Sequence, residues 1–182
     1  ISIGYMQSGA SALSILTDEN FFGGTTSDLQ KARTYNYCPI LRKDFIIDEY
    51  QIHETKSIGA DAILFIAEIL TAEEIKRFTE VALGLGLEIL MEIHSQEELS
   101  KYTDGIQVLG VNNRNLKDFK VDLKHSVDIF KKLPSDPVKI SESGIRNEKD
   151  MIRLYEAGYE GFLIGTRFMK TPYPVKACRR LI

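Results

Sequence analysis

The chain is poor in the residues that build metal sites and disulfide frameworks. Its 182 residues include two cysteines, Cys38 and Cys178, far apart and without pairing logic. Both read as reduced cysteines of a cytoplasmic protein. The three histidines, His53, His94 and His125, show no ligand spacing with cysteines or carboxylates, which argues against a metal centre. No run approaches the roughly 18 apolar residues of a membrane helix, so no membrane partner is expected. Excess positive charge is also missing. With 23 basic against 26 acidic residues and a net charge of −3, there is no field to hold nucleic acid. A small anion bound by a local site remains compatible with that balance. The first residue is Ile1 and no signal sequence precedes it, so the natural protein is expected to begin upstream.

What the chain does have is enough apolar material, 43%, for one well-buried domain spanning 1–182. A small repeat organises it. Ser8-Gly-Ala-Ser-Ala-Leu13, Ile58-Gly-Ala-Asp-Ala-Ile63 and Ala157-Gly-Tyr-Glu-Gly-Phe162 each read as a helix end, a glycine and an apolar strand. Thr71-Ala-Glu-Glu74 and Ser95-Gln-Glu-Glu98 have capping-box spacing, and Asn147 is placed to cap a helix that stops at Gly158. Strands are predicted near 12–17, 39–44, 62–67, 87–93, 106–112, 138–142 and 161–165, with helix-length segments between them. Strands apolar on both faces, alternating with helices, mean a parallel sheet covered by helices. An open doubly wound sheet is the alternative, but the even repetition favours a (β/α)₈ TIM barrel. Such barrels run to about 250 residues, so the first strand is expected to be absent.

Four of these strands finish on a polar group. Side chains alternate along a strand, so Leu41 and Lys43 share one face while Arg42 and Asp44 share the other. By the same count Leu90 leads to Glu92, Val108 and Gly110 lead to Asn112 with Arg114 just beyond, and Ile140 leads to Glu142. In a barrel these ends converge on the carboxyl-terminal mouth, where active sites lie. One such charge is ordinary surface; four in register are a candidate catalytic set, with a lysine and two carboxylates able to divide acid and base roles. His94 is read as a loop or packing histidine turned away from Glu92. Ser143 and Gly144 follow the strand at 138–142, and Gly165 and Thr166 close the last strand. Small residues on two adjacent turns suit a phosphate cradle. Phe45, and the Phe21-Phe22-Gly23-Gly24 stretch, could wall an aromatic pocket.

Several longer motifs carry a resemblance. Leu16-Thr-Asp-Glu-Asn-Phe-Phe-Gly-Gly24, Leu41-Arg-Lys-Asp-Phe-Ile-Ile-Asp48, Gly110-Val-Asn-Asn-Arg-Asn-Leu116 and Ser141-Glu-Ser-Gly-Ile145 closely resemble, in order and over essentially the whole chain, the indole-3-glycerol-phosphate synthases. The resemblance implies a (β/α)₈ barrel with an N-terminal extension, working in tryptophan biosynthesis without metal or organic cofactor. It implies ring closure of 1-(2-carboxyphenylamino)-1-deoxyribulose 5-phosphate with loss of carbon dioxide and water. Lys43 would be general acid and Glu92 base, with Asn112 and Arg114 orienting the reacting portion and Glu142 positioning it. Ser143, Gly144, Gly165 and Thr166 would surround the phosphate, and Phe45 the aromatic ring. The expected partner is a small phosphorylated molecule, and the protein a monomer or weak homo-oligomer.

Two features depart from the family. Its opening strand, with a Glu-x-Lys and a Ser-Pro-Ser stretch, is absent, so the chain by itself is expected to be inactive. Arg167 stands where a small or amide side chain is expected, leaving open whether it faces phosphate or solvent. Two alternatives complete the reading: another phosphosugar barrel such as phosphoribosylanthranilate isomerase, or a non-catalytic phosphosugar-binding barrel. The combination of Lys43, Glu92 and Asn112-Asn-Arg114 argues against the first; Lys43, Glu92 and Glu142 together argue against the second, which the absent opening strand keeps open.

Overall fold

A computed structural model describes residues 1–115 and 119–182. All seven expected strands form. They are β1 (Leu13–Leu16), β2 (Ile40–Lys43), β3 (Ala62–Ile66), β4 (Glu88–Ile93), β5 (Val108–Asn112), β6 (Val138–Glu142) and β7 (Gly161–Leu163). They make one parallel sheet in chain order, with β1 and β7 at its edges. In a flat sheet β2 and β6 would be four spacings of about 4.8 Å apart, roughly 19 Å. Lys43 on β2 nevertheless comes within 3.6 Å of Glu142 on β6, so the sheet curls into most of a barrel.

Among the described residues eight α-helices accompany it: α1 (Ser2–Gln7), α2 (Thr26–Tyr35), α3 (Glu49–Ser57), α4 (Ala72–Gly84), α5 (Lys124–Ile129), α6 (Glu148–Ala157), α7 (Thr166–Met169) and α8 (Pro174–Arg179). Local chemistry sets several boundaries. Thr71 and Glu74 exchange hydrogen bonds as a capping box, as do Thr25 with Asp28 and Asp48 with Gln51. Asn147 accepts from Asp150 N, and α6 ends at Gly158 with φ 114°, as its sequence predicts. The Ser95 box forms differently: Glu98 accepts from His94 N, and a 3₁₀ turn, Glu97–Lys101, replaces the expected helix.

Alternation sorts the core into two layers. The inward side chains of β2 to β7 include Leu41, Leu64, Ile66, Leu90, Val108, Ile140 and Leu163, which pack together inside the sheet. Outward residues Ile63, Phe65, Ile89, Met91, Leu109 and Val111 meet the helices at Ile52, Ile75, Phe78, Ala82 and Leu154. Leu13 and Ile40 join Leu29 and Ala32 of α2 in a smaller outer cluster. Both cysteines are free thiols, Cys178 buried and Cys38 half-buried. Among the described residues, no helix is long and apolar enough to cross a membrane.

Candidate active site

Lys43 is the last residue of β2, on the inward face set by Leu41. Its Nζ lies 2.9 Å from Glu92 Oε2 on β4 and 3.6 Å from Glu142 Oε2 on β6. Asn112 at the end of β5 donates from Nδ2 to Glu92 Oε1 at 3.0 Å. The four strand-end residues thus meet inside one mouth. Glu92 and Glu142 are almost wholly buried, while the lysine side chain keeps 16% exposure and forms the way in from solvent.

Register explains how two carboxylates share this space. Glu92 is level with Gly110, and Glu142 with Asn112, one side-chain layer nearer the mouth. The Glu142 carboxylate bends back over Gly110, where any added Cβ would overlap its Oε1. Glycine at 110 is therefore a seat for Glu142, a role that strand periodicity does not disclose.

Charge is unevenly divided among the three groups. Glu142 is fully buried and neither oxygen has a hydrogen-bond partner among the described residues. Burial and the nearby Glu92 carboxylate push its pKa up to about 8, against the pull of Lys43. Burial acts on Glu92 in the same direction, but the Lys43 ammonium, His94 and the Asn112 amide overcome it and hold Glu92 well below the carboxylate range. Burial would lower Lys43, yet Glu142 and Glu92 outweigh it and raise its pKa. At neutral pH the centre is an ammonium, an ionised Glu92 and a protonated Glu142, titrating as a unit.

A stability prediction follows from Glu142. Below its ordinary value of 4.5 both folded and unfolded chains hold the proton. From there to about 8 only the folded chain holds it, so this group's contribution falls as pH rises through that window and levels off above it. Glutamine at 142 does not titrate. The melting temperature of Glu142→Gln relative to the parent should climb between pH 5 and pH 8. A constant difference across that range would remove the assigned protonation state.

Around this centre the other expected residues fall on neighbouring turns. Ser143 and Gly144 lie just past β6, both with positive φ (66° and 79°). The Asn113 amide stabilises that turn, donating to Glu142 O and Ser143 O at 3.0 and 3.1 Å. Gly165 caps α7 and Thr166 begins it, and the space beside Gly165 is open. Arg167 is exposed, and its Nε donates to Arg146 O at 2.9 Å, tying the turn after β7 to the one after β6. Arg114 is half-buried, bridges to Val121, and donates its backbone N–H to Asn112 Oδ1 at 3.0 Å. Leu116 of the same motif lies outside the described residues. Phe45 packs among the inward residues beside Lys43, with Phe22 stacked on it at 4.7 Å and Phe21 edge-on at 5.5 Å.

The reading of His94 needs correction. It is the first residue past β4 and turns toward Glu92, its Nε2 3.2 Å from Glu92 Oε1. Its other nitrogen faces Glu68 and Glu98, so three groups without ligand spacing in sequence lie within 4.8 Å of one another. The missed signal is parity: residues 92 and 94 are two apart and share a strand face when the strand direction persists.

Solved structures similar in shape include 3-hexulose-6-phosphate synthase from Salmonella typhimurium, with a TM-score of 0.78 at 12% identity, covering 99% of this chain and 90% of that one. The tryptophan synthase complex of Pyrococcus furiosus matches with a TM-score of 0.68 at 15% identity, covering 99% of this chain and 90% of the other. These support the barrel fold alone. Closer relatives are found by sequence. An indole-3-glycerol phosphate synthase of Bacteroides thetaiotaomicron is 52% identical, covering 93% of this chain and 65% of its own length. One from Acetivibrio thermocellus is 46% identical, covering 91% and 64%. The chain thus spans just under two thirds of the length of these curated relatives. The family profile described as indole-3-glycerol phosphate synthase matches residues 1–181, and the chain belongs to that family.

Proposed function

We propose that the full-length protein closes the indole ring of 1-(2-carboxyphenylamino)-1-deoxyribulose 5-phosphate, releasing carbon dioxide and water. The observation that carries this is the convergence of Lys43, Glu92, Asn112 and Glu142 on one buried mouth. The ring carbon bearing the carboxyl group bonds to the ketone carbon, and Lys43 gives a proton to the ketone oxygen as it becomes a hydroxyl. The carbon–carboxyl bond then breaks, carbon dioxide leaves, and its electron pair restores the aromatic ring. Glu92 then takes a proton from the neighbouring CH₂ carbon and passes one to the hydroxyl, which leaves as water while the C–H electron pair forms the double bond that completes the indole. General acid and base help of this kind contributes about 10²–10⁴-fold, with orientation supplying more.

The remaining residues take supporting roles. Asn112 fixes Glu92 and Arg114 orients the reacting portion. Glu142, protonated, can offer a hydrogen bond where an ionised carboxylate would repel the substrate's own. Ser143, Gly144, Gly165 and Thr166 take the phosphate on backbone amides and hydroxyls, and Phe45 with Phe22 faces the aromatic ring. The natural setting is a soluble cytoplasmic enzyme.

The test is direct: full-length protein receives the carboxyphenylamino-deoxyribulose phosphate, and indole fluorescence is followed. Turnover is expected. Tight binding of the substrate without any fluorescence gain would instead favour a non-catalytic phosphosugar barrel.

A further inference from the structure

His94 occupies the middle of an acidic triangle drawn from three elements. Nε2 faces Glu92 Oε1 of β4 at 3.2 Å. Nδ1 faces Glu68 Oε2, on the turn after β3, at 3.8 Å, and Glu98 Oε2, in the 3₁₀ turn, at 3.9 Å. The ring is 6% exposed, and neither nitrogen makes a hydrogen bond among the described residues, so the three carboxylates are its ion-pair neighbours. A neutral imidazole would point a lone pair at one of these carboxylates; only the imidazolium offers a proton to both sides. The nearest described cations are turned elsewhere. Lys43 lies on the opposite oxygen of Glu92, and Lys101 Nζ donates to Ala67 O and Leu70 O at 2.7 and 2.8 Å.

We propose that His94 is a positioning residue: gripped from behind by Glu68 and Glu98, its imidazolium holds the Glu92 carboxylate facing Lys43. The geometry of Glu92 supports this directly. Its Oε2 accepts from the ammonium at 2.9 Å and its Oε1 from the Asn112 amide at 3.0 Å, with the imidazole Nε2 an ion-pair neighbour of Oε1 at 3.2 Å. With the imidazole neutral, Oε1 loses the positive charge beside it and the carboxylate can swing about its side chain. A displacement of about 1 Å at a reacting group can cost about 10²-fold in rate. Burial works against a charged His94, but Glu92, Glu98 and Glu68 together outweigh it and raise its pKa. The alkaline fall of kcat therefore carries a contribution from a histidine outside the reacting pair, beside that of Glu142. This inference rests on the functional reading above for what Glu92 does, while the clamp itself belongs to the resting protein.

Glu68→Gln tests it without altering Lys43, Glu92, Asn112 or Glu142. In full-length protein, the titration of the His94 ring is followed by NMR, assigned by its disappearance in His94→Gln. The midpoint should fall by about half a pH unit or more in Glu68→Gln, since one of three attracting carboxylates is gone. The alkaline limb of kcat should move down with it. His94→Gln, which keeps an amide donor without a titrating group, should lose the part of that limb that Glu68→Gln moves, leaving the Glu142 part, yet retain kcat within about tenfold at unchanged KM. His94→Leu, with neither donor nor charge, should lose more than about tenfold in kcat. An unmoved midpoint in Glu68→Gln, or a parental rate and pH profile in His94→Leu, overturns the proposal. A midpoint that falls in a protein without turnover upholds the clamp and overturns only the functional reading.

Discussion

Lys43→Met should lower kcat of the full-length protein by about 10²–10⁴-fold, with KM changed far less. Methionine is nearly as long as lysine and remains apolar along its stem, so the packing against Leu41 and Phe45 persists. What disappears is the only ammonium within reach of Glu92 and Glu142 in the described structure. The ketone oxygen then has no proton donor as the ring bond forms. The partner variant Glu92→Gln should fall comparably for a different reason. An amide has one acceptor and one donor end, whereas Glu92 accepts from Lys43 on one oxygen and from Asn112 on the other. Whichever way glutamine turns, its NH₂ meets a donor, and no base remains. Indole fluorescence gives the rates, and circular dichroism at the assay temperature shows that both variants are folded. Parental rates in both would end the acid–base assignment.

How much of this could be read in advance follows the physics of each feature. Strand alternation is a local rule, so the inward placement of Lys43, Glu92, Asn112 and Glu142 was legible, as were the seven strands, the capping box at Thr71 and the Asn147 cap. The rule lapses where a strand ends. His94 lies one residue beyond β4, and its partners Glu68 and Glu98 come from turns whose course no periodicity sets. Ser95 had capping spacing, but its partner Glu98 is drawn to the His94 N–H, so a 3₁₀ turn forms in place of an α-helix. Gly110 reads as one more small strand residue until the Glu142 side chain is seen lying over it. Protonation of Glu142 is further from sequence still. It arises from burial and from a carboxylate two strands away, both consequences of the curl.

Arg42→Met should cost about 3–5 kcal/mol of folding stability, a large share of the roughly 5–15 kcal/mol typical of a domain. Arg42 precedes Lys43 and points outward, 3% exposed, into a network that uses every guanidinium nitrogen. Nε donates to Thr17 Oγ1 and Asp44 Oδ2, both at 3.1 Å. Nη1 donates to Gln51 O and Thr55 Oγ1, both at 3.2 Å, and Nη2 to Asp44 Oδ2 at 2.9 Å and Glu54 Oε2 at 2.7 Å. The cost lies in what removal leaves behind. Asp44 is 5% exposed and would keep only the Thr17 hydroxyl and the Phe45 N–H. An ion pair worth little against apolar replacements becomes expensive once a single partner is deleted. Thermal unfolding should therefore shift down by about 6–20 °C, at about 2–4 °C per kcal/mol for a chain of this size. Adding Asp44→Asn removes the orphaned charge and should recover part of the loss. Arg77→Met offers the contrast: its partner Glu49 is 3.9 Å away and both side chains are largely in water, so less than about 1 kcal/mol is expected. If Arg42→Met melts with the parent, or Asp44→Asn deepens the loss, the buried network does not hold β2. Lys43 would then owe its place to the inward packing of Leu41 and Phe45 alone.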